Sequence, residues 1–193
     1  INTKKSKIVF DDGECFALYK GEIRRLDIEI GREIGEEEYY TTIYPTLKKR
    51  AFARLLHILE ISFKSENDII KKLRLSFYPD EAIKEAIEKA VKFGYIDDER
   101  YTKRYVATYK DKYSKLKLKY KLMEKGINKE IIENALDEAY IDESPKIKRL
   151  LEKKHYFETD EFEKKQKIIA SIMRQGYKYT EIKDIINDIS TEI

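Results

Sequence analysis

The stretch Leu73-Arg74-Leu75-Ser76-Phe77-Tyr78-Pro79-Asp80-Glu81-Ala82-Ile83 decides how this chain folds, because it returns twice in altered form. Leu122-Met123-Glu124-Lys125-Gly126-Ile127-Asn128-Lys129-Glu130-Ile131-Ile132 follows at an offset of 49 (73 to 122), and Ile172-Met173-Arg174-Gln175-Gly176-Tyr177-Lys178-Tyr179-Thr180-Glu181-Ile182 at a further 50 (122 to 172). In each copy an apolar residue is followed four positions later by Phe77, Gly126 or Gly176, and then by Tyr78, Ile127 or Tyr177. Beyond the hinge the apolar set Ile83/Ala86/Ile87 recurs as Ile132/Ala135/Leu136 and Ile182/Ile185/Ile186, an i, i+3, i+4 spacing that lines one helix face. Gly126 and Gly176 suit the left-handed residue that ends a helix, with the next apolar side chain folding back on the last turn. A Phe in that conformation is strained, so the first hinge is expected to close differently, helped by Pro79 at the start of the following helix.

Working outward, the pattern predicts three tandem three-helix repeats. The first has helices over about 46–61, 65–76 and 79–94, with Ser65 as N-cap; the second over about 98–112, 115–125 and 128–140; the third over about 144–156, 160–175 and 178–190, with Pro145 in its first turn and Thr159 or Asp160 as a cap. Leu116-Lys117-Leu118-Lys119-Tyr120-Lys121-Leu122 alternates with period 2 and alone reads as a strand, but Leu118, Leu122 and the Gly126 hinge also satisfy helical spacing, and the repeat favours the helix. The first 45 residues differ. Ile8-Val9-Phe10 and Glu14-Cys15-Phe16-Ala17-Leu18 around Asp12-Gly13 read as a β-hairpin, and Glu36 to Tyr44 as a helix ended by Pro45. The expected organisation is therefore mainly α: a hairpin segment over 1–45, then repeats over 46–97, 98–143 and 144–193, forming an elongated curved rod.

Composition agrees with an ordered helical chain. Among 193 residues there are 40 Lys or Arg and 37 Asp or Glu, a net charge of only +3, with 41% hydrophobic and 12% aromatic residues, which excludes a disordered polyelectrolyte. Seven Gly and three Pro are too few for a turn-rich β architecture. No apolar run approaches the roughly 18–20 residues of a membrane span, and Ile1-Asn2-Thr3-Lys4-Lys5 leads into no signal-peptide core, so a cytoplasmic protein without membrane contact is expected. The single Cys15 forms no internal disulfide. His57 and His155 have no metal-ligand spacing, and no phosphate-binding glycine loop occurs. Asp97-Asp98 suits helix capping better than Mg²⁺. Neither an enzyme nor a cofactor is expected.

Gly94-Tyr95-Ile96-Asp97-Asp98-Glu99-Arg100-Tyr101, followed by Tyr105-Val106, resembles a signature of the bacterial RecX family, and Leu122 with Lys125-Gly126-Ile127 resembles that family's Leu-x-x-Lys-Gly-Ile element. The N-terminal hairpin is similar to that of RecX proteins from Gram-positive bacteria, so the resemblance covers roughly residues 8–190. The chain departs from the pattern at Ser62 and Lys64, where Arg-x-Arg is common, at Asp68-Ile69, and at Phe77, where Gly is common. The resemblance implies a non-catalytic monomer that lies in the groove of a RecA–single-stranded DNA filament. There it reduces ATP hydrolysis and strand exchange and promotes filament disassembly during homologous recombination, DNA repair and the SOS response.

The charge is unevenly spread. Lys103, Arg104, Lys110, Lys112, Lys115, Lys117, Lys119, Lys121 and Lys125 face only Asp111 and Glu124 in their window, nine bases against two acids. Such an excess is either a solvated face of two helices or an electrostatic footprint for phosphate or an acidic protein; the family resemblance favours contact. Tyr101, Tyr105, Tyr109 and Tyr113 recur every four residues; the first two are assigned to the core, and the last two stay open between packing and stacking on unpaired bases. Duplex reading by the third helices is disfavoured, because 79–94 carries Asp80, Glu81, Glu85 and Glu88, and 128–140 carries Glu130, Glu133, Asp137 and Glu138. The alternatives to recombinase regulation are a sequence-independent nucleic-acid-binding module acting through 103–125, with single-stranded DNA as ligand, and a helical scaffold for an unrelated peptide.

Overall fold

A computed structural model describes residues 4–191. Two antiparallel strands, β1 (Lys5–Val9) and β2 (Cys15–Tyr19), precede α1 (Lys20–Arg25) and α2 (Glu36–Glu38), and α2 passes through a π-helical turn, Tyr39–Ile43, into α3 (Tyr44–Ile61). The rest is helical: α4 (Glu66–Arg74), α5 (Asp80–Lys92), α6 (Asp98–Tyr109), α7 (Lys115–Glu124), α8 (Lys129–Glu138), α9 (Ser144–Lys153), α10 (Phe162–Met173) and α11 (Tyr179–Thr191), with a 3₁₀ turn at Tyr156–Glu158. The chain forms two compact units, Ile1–Asp97 and Asp98–Ile193.

In the first unit the hairpin pairs Lys5 with Tyr19 and Val9 with Cys15. Gly13, at φ +91°, donates its N–H to the Phe10 carbonyl (3.0 Å) and closes the Asp12-Gly13 turn. Phe16, Ala17 and Leu18 are all buried rather than alternating, since Phe16 and Leu18 pack with Leu26, Ile43 and Leu47 while the Ala17 N–H reaches the Phe77 carbonyl at 3.2 Å. Behind the hairpin, Ala51, Leu55 and Ile58 of α3 meet Ile69 and Leu73 of α4 and Ala82, Ile83, Ala86 and Ala90 of α5. In α4, Ser65 is the N-cap, its Oγ accepting the Asp68 N–H at 3.2 Å.

Two expectations change here, and one helix is added. Pro45 does not end a helix: the Tyr44 N–H bonds to the Tyr39 carbonyl in a wider π turn, which gives the proline ring room, and the helix runs on to Ile61. Lys20–Arg25 is a helix that the sequence pattern did not announce; Glu22 holds it, accepting the Tyr19 N–H (2.9 Å) and the Arg50 Nε (2.7 Å). The first hinge closes like the others. Phe77 sits at φ +61°, donating to the Arg74 carbonyl (2.9 Å), while Tyr78 donates to Leu73 (3.3 Å), as Gly126 does to Met123 (2.9 Å) and Ile127 to Leu122 (3.2 Å). The left-handed strain of roughly 1–2 kcal/mol is offset by the bond from Ala17 and by Lys7 Nζ, 4.7 Å from the centre of the Phe77 ring.

In the second unit α6, α7 and α8 bury Val106, Leu118, Leu122, Ile132, Ala135 and Leu136. The next triplet encloses Ile147, Leu151, Tyr156, Ile169, Ile172, Tyr177 and Ile182. Pro145 lies in the first turn of α9 as expected, whereas α10 starts at Phe162, with Thr159 Oγ1 accepting only the Glu161 N–H just before it (3.3 Å). Ser114 caps α7, accepting the Lys117 N–H (3.2 Å), and donates its own proton to the Gln175 carbonyl (2.7 Å), so the α6–α7 corner is tied to the Gly176 hinge.

Candidate partner interface

The basic window occupies α6, the corner after it and α7, and the structure sorts six of its nine bases into two sets. Lys103, Lys115 and Lys119 reach across to α8 and pair with Glu138, Asp137 and Glu133, each at 2.8 Å. The Glu133 carboxyl is held below the ordinary carboxylate range by its hydrogen bond with Lys119. Lys112, Lys117 and Lys121 instead gather around one ring, with Nζ atoms 5.5, 5.0 and 5.3 Å from the centre of Tyr113, and among the described residues no carboxylate pairs with them. Arg104 is exposed on α6, and Lys110 is half-buried where that helix ends. Ion pairs open to solvent are screened and individually weak, so the α8 pairs are weak clasps that a partner's carboxylates or phosphates would readily exchange.

The four tyrosines form one continuous ladder, with ring centres 6.1, 4.6 and 5.5 Å apart from Tyr101 to Tyr113. Tyr101 is buried as expected, but Tyr105 is only half-buried, like Tyr109 and Tyr113, because an i+4 stripe drifts about 40° per step around a 3.6-residue helix. Burial pushes the Tyr105 hydroxyl pKa up.

What positions the corner is a set of side chains that the sequence reading missed. Lys146 is only 7% exposed, and its ammonium donates to the carbonyls of Lys110 (2.8 Å) and Tyr113 (3.1 Å), capping the end of α6. Burial lowers its pKa, opposed by the nearby carboxylates of Glu143, Asp111 and Asp142. Glu143 accepts the Lys115 N–H at 2.6 Å, placing a carboxylate at the N-terminus of α7. The available clue was Lys146 itself, one residue from Ile147 and four before Leu150, a cation on the apolar side of its helix.

Candidate chemistry elsewhere is sparse. His57 is exposed beside Glu60 (3.4 Å), and His155 sits at φ +56° with Nδ1 2.8 Å from Glu158. Among the described residues no three His, Cys, Asp or Glu side chains converge to hold a metal ion, and no helix is long and apolar enough to cross a membrane.

Successive helix triplets after an N-terminal hairpin, with a cluster of bases and tyrosines in the α6–α7 segment, define a helical-repeat protein, and comparison with known proteins sharpens the class to a family. The family model for the second three-helix domain of RecX matches residues 97–136. The chain is 32% identical over 184 residues to the regulatory protein RecX of Clostridium acetobutylicum, covering 91% of this chain and 80% of that protein. It is 31% identical over 189 residues to that of Caldanaerobacter subterraneus subsp. tengcongensis, covering 95% and 94%. A crystal structure of regulatory protein RecX superposes with a TM-score of 0.68 at 23% identity, covering 95% of this chain and 94% of that one. RecX from Lactobacillus salivarius gives 0.65 at 24%, covering 76% and 99%. The chain belongs to the RecX family, and its relatives are regulatory proteins.

Proposed function

We propose that this protein is a non-catalytic regulator of the RecA recombinase, acting in the cytoplasm as a monomer during recombination and DNA repair. It binds in the groove of RecA–single-stranded DNA filaments, slows ATP hydrolysis and strand exchange, and promotes disassembly. Family membership supports the partner; the observation that carries the mode of action is the sorted basic window. Lys103, Arg104, Lys110, Lys112, Lys115, Lys117, Lys119 and Lys121 lie on α6, α7 and the corner between them, and that corner is pinned by Lys146, Glu143 and Ser114. A preorganised cluster of cations, Lys112, Lys117 and Lys121 around Tyr113, meets an acidic surface with little ordering cost. No chemistry on the regulator is required: a helical unit wedged between protomers restrains the motion that ATP turnover needs.

The test adds increasing amounts of the protein to RecA, single-stranded DNA and ATP, following phosphate release and filament length together. Both are expected to fall in parallel; unchanged hydrolysis with filaments of full length would sink the proposal. A second reading, a sequence-independent nucleic-acid module, is favoured by the lysines around Tyr113. It predicts that neutralising Lys112, Lys117 and Lys121 flattens the salt dependence of single-strand binding by up to ~0.7 per lost contact.

A further inference from the structure

The alternation Leu116-Leu118-Tyr120-Leu122 is that of a helix with two apolar faces. Leu118 and Leu122 are fully buried, while Leu116, Tyr120 and Met123 stand 44%, 59% and 49% exposed. At 100° per residue these three fall within about 60° of one another, on the side of α7 away from the core. The same positions on α4, 49 residues earlier, carry Asn67, Lys71 and Arg74. On α10, 50 residues later, they carry Gln166, Ala170 and Met173, with Met173 44% exposed, so among the three equivalent helices α7 alone sets two further large apolar side chains, Leu116 and Tyr120, beside the methionine it shares with α10. Lysines flank it on both sides: Lys115 and Lys119 turn towards the acids of α8, and Lys117 and Lys121 towards Tyr113 without an ion-pair partner among the described residues.

We infer that the outer face of α7 is a protein-docking surface, and that its occupant is a short acidic segment presenting apolar side chains, held by Leu116, Tyr120 and Met123 and clasped by Lys117 and Lys121. The inference rests on the regulatory reading above and assigns its contact: the segment belongs to a recombinase protomer. Charge complementarity selects an acidic occupant. The apolar strip selects protein over a phosphodiester backbone, which would leave three large apolar groups in contact with charge. A central exposed Tyr is among the residue types enriched as interface anchors.

The test compares wild type with two variants, Leu116→Asn/Tyr120→Gln/Met123→Gln and Tyr120→Ala alone, all at exposed positions, for binding to RecA–single-stranded DNA filaments and, separately, to a single-stranded oligonucleotide without RecA. Filament affinity is expected to fall at least tenfold in the triple variant and several-fold in Tyr120→Ala, with oligonucleotide affinity unchanged in both and the melting temperature unchanged in Tyr120→Ala, whose side chain, unlike that of Leu116, does not adjoin the Gly176 hinge. Equal filament affinity in wild type and both variants would overturn the docking face while leaving the regulatory reading intact. An equal loss on bare oligonucleotide would make this a nucleic-acid surface and overturn it as well. Wild-type protein that ignores filaments would overturn the regulatory reading and this assignment together.

Discussion

Gly176→Ala is expected to destabilise the Asp98–Ile193 unit by about 3–5 kcal/mol. The backbone there is at φ +95°, a conformation that L side chains rarely adopt, and an added Cβ would lie 2.5 Å from Ser114 Oγ and 3.3 Å from Leu116 Cβ. The Ser114 hydroxyl has no room to retreat, because it caps α7 through the Lys117 N–H and donates to the Gln175 carbonyl next door. Gly94→Ala, in the Ile1–Asp97 unit, is the comparison for a left-handed glycine with open space around it: φ is +69°, and nothing lies within 4 Å of the added methyl. That change should cost only the left-handed penalty of about 1 kcal/mol. For a unit of this size the difference corresponds to a drop of more than about 10 °C in Tm. Urea unfolding of the two variants checks it, and equal losses would show that the contact with Ser114 is not felt.

Removing Lys146 is expected to have the next largest effect. Lys146→Met keeps most of the aliphatic stem but leaves the Lys110 and Tyr113 carbonyls without their donor and Glu143 without its neighbouring cation. Unsatisfied buried polar groups cost about 1–3 kcal/mol each, so a loss of about 2–4 kcal/mol follows. The consequence extends to function. The capped corner carries Lys112 and Tyr113, so loosening it disperses the lysines gathered around that ring and weakens partner binding beyond what stability alone explains. Limited proteolysis should cut between Lys110 and Ser114 in the variant and spare the wild type. A variant as stable and as resistant as wild type would remove Lys146 from its assigned role.

Much of the fold was legible because the hinges are local. A Gly or Phe followed by an apolar residue, four positions after another apolar residue, encodes its own hydrogen bonds, so three copies announced three helix pairs. The strained Phe77 hinge was misjudged because its support, the Ala17 N–H, comes from a strand sixty residues away. Helix Lys20–Arg25 was hidden for the same reason, since Arg50 secures the Glu22 that holds it. The candidate interface was legible only as a composition. Nine bases in one window gave no hint that three would pair with α8 and three would surround Tyr113, because that sorting depends on how α6, α7 and α8 pack. The second apolar face of α7 was present in the sequence as a strand-like alternation, and it acquired meaning only once the helix showed which leucines face the core.

The most direct measurement is an electron-microscopy reconstruction of RecA filaments on single-stranded DNA with this protein added. Regular extra density following the filament groove, with α7 turned towards a recombinase protomer, is the predicted result. Bare filaments of unchanged pitch at saturating protein would contradict it.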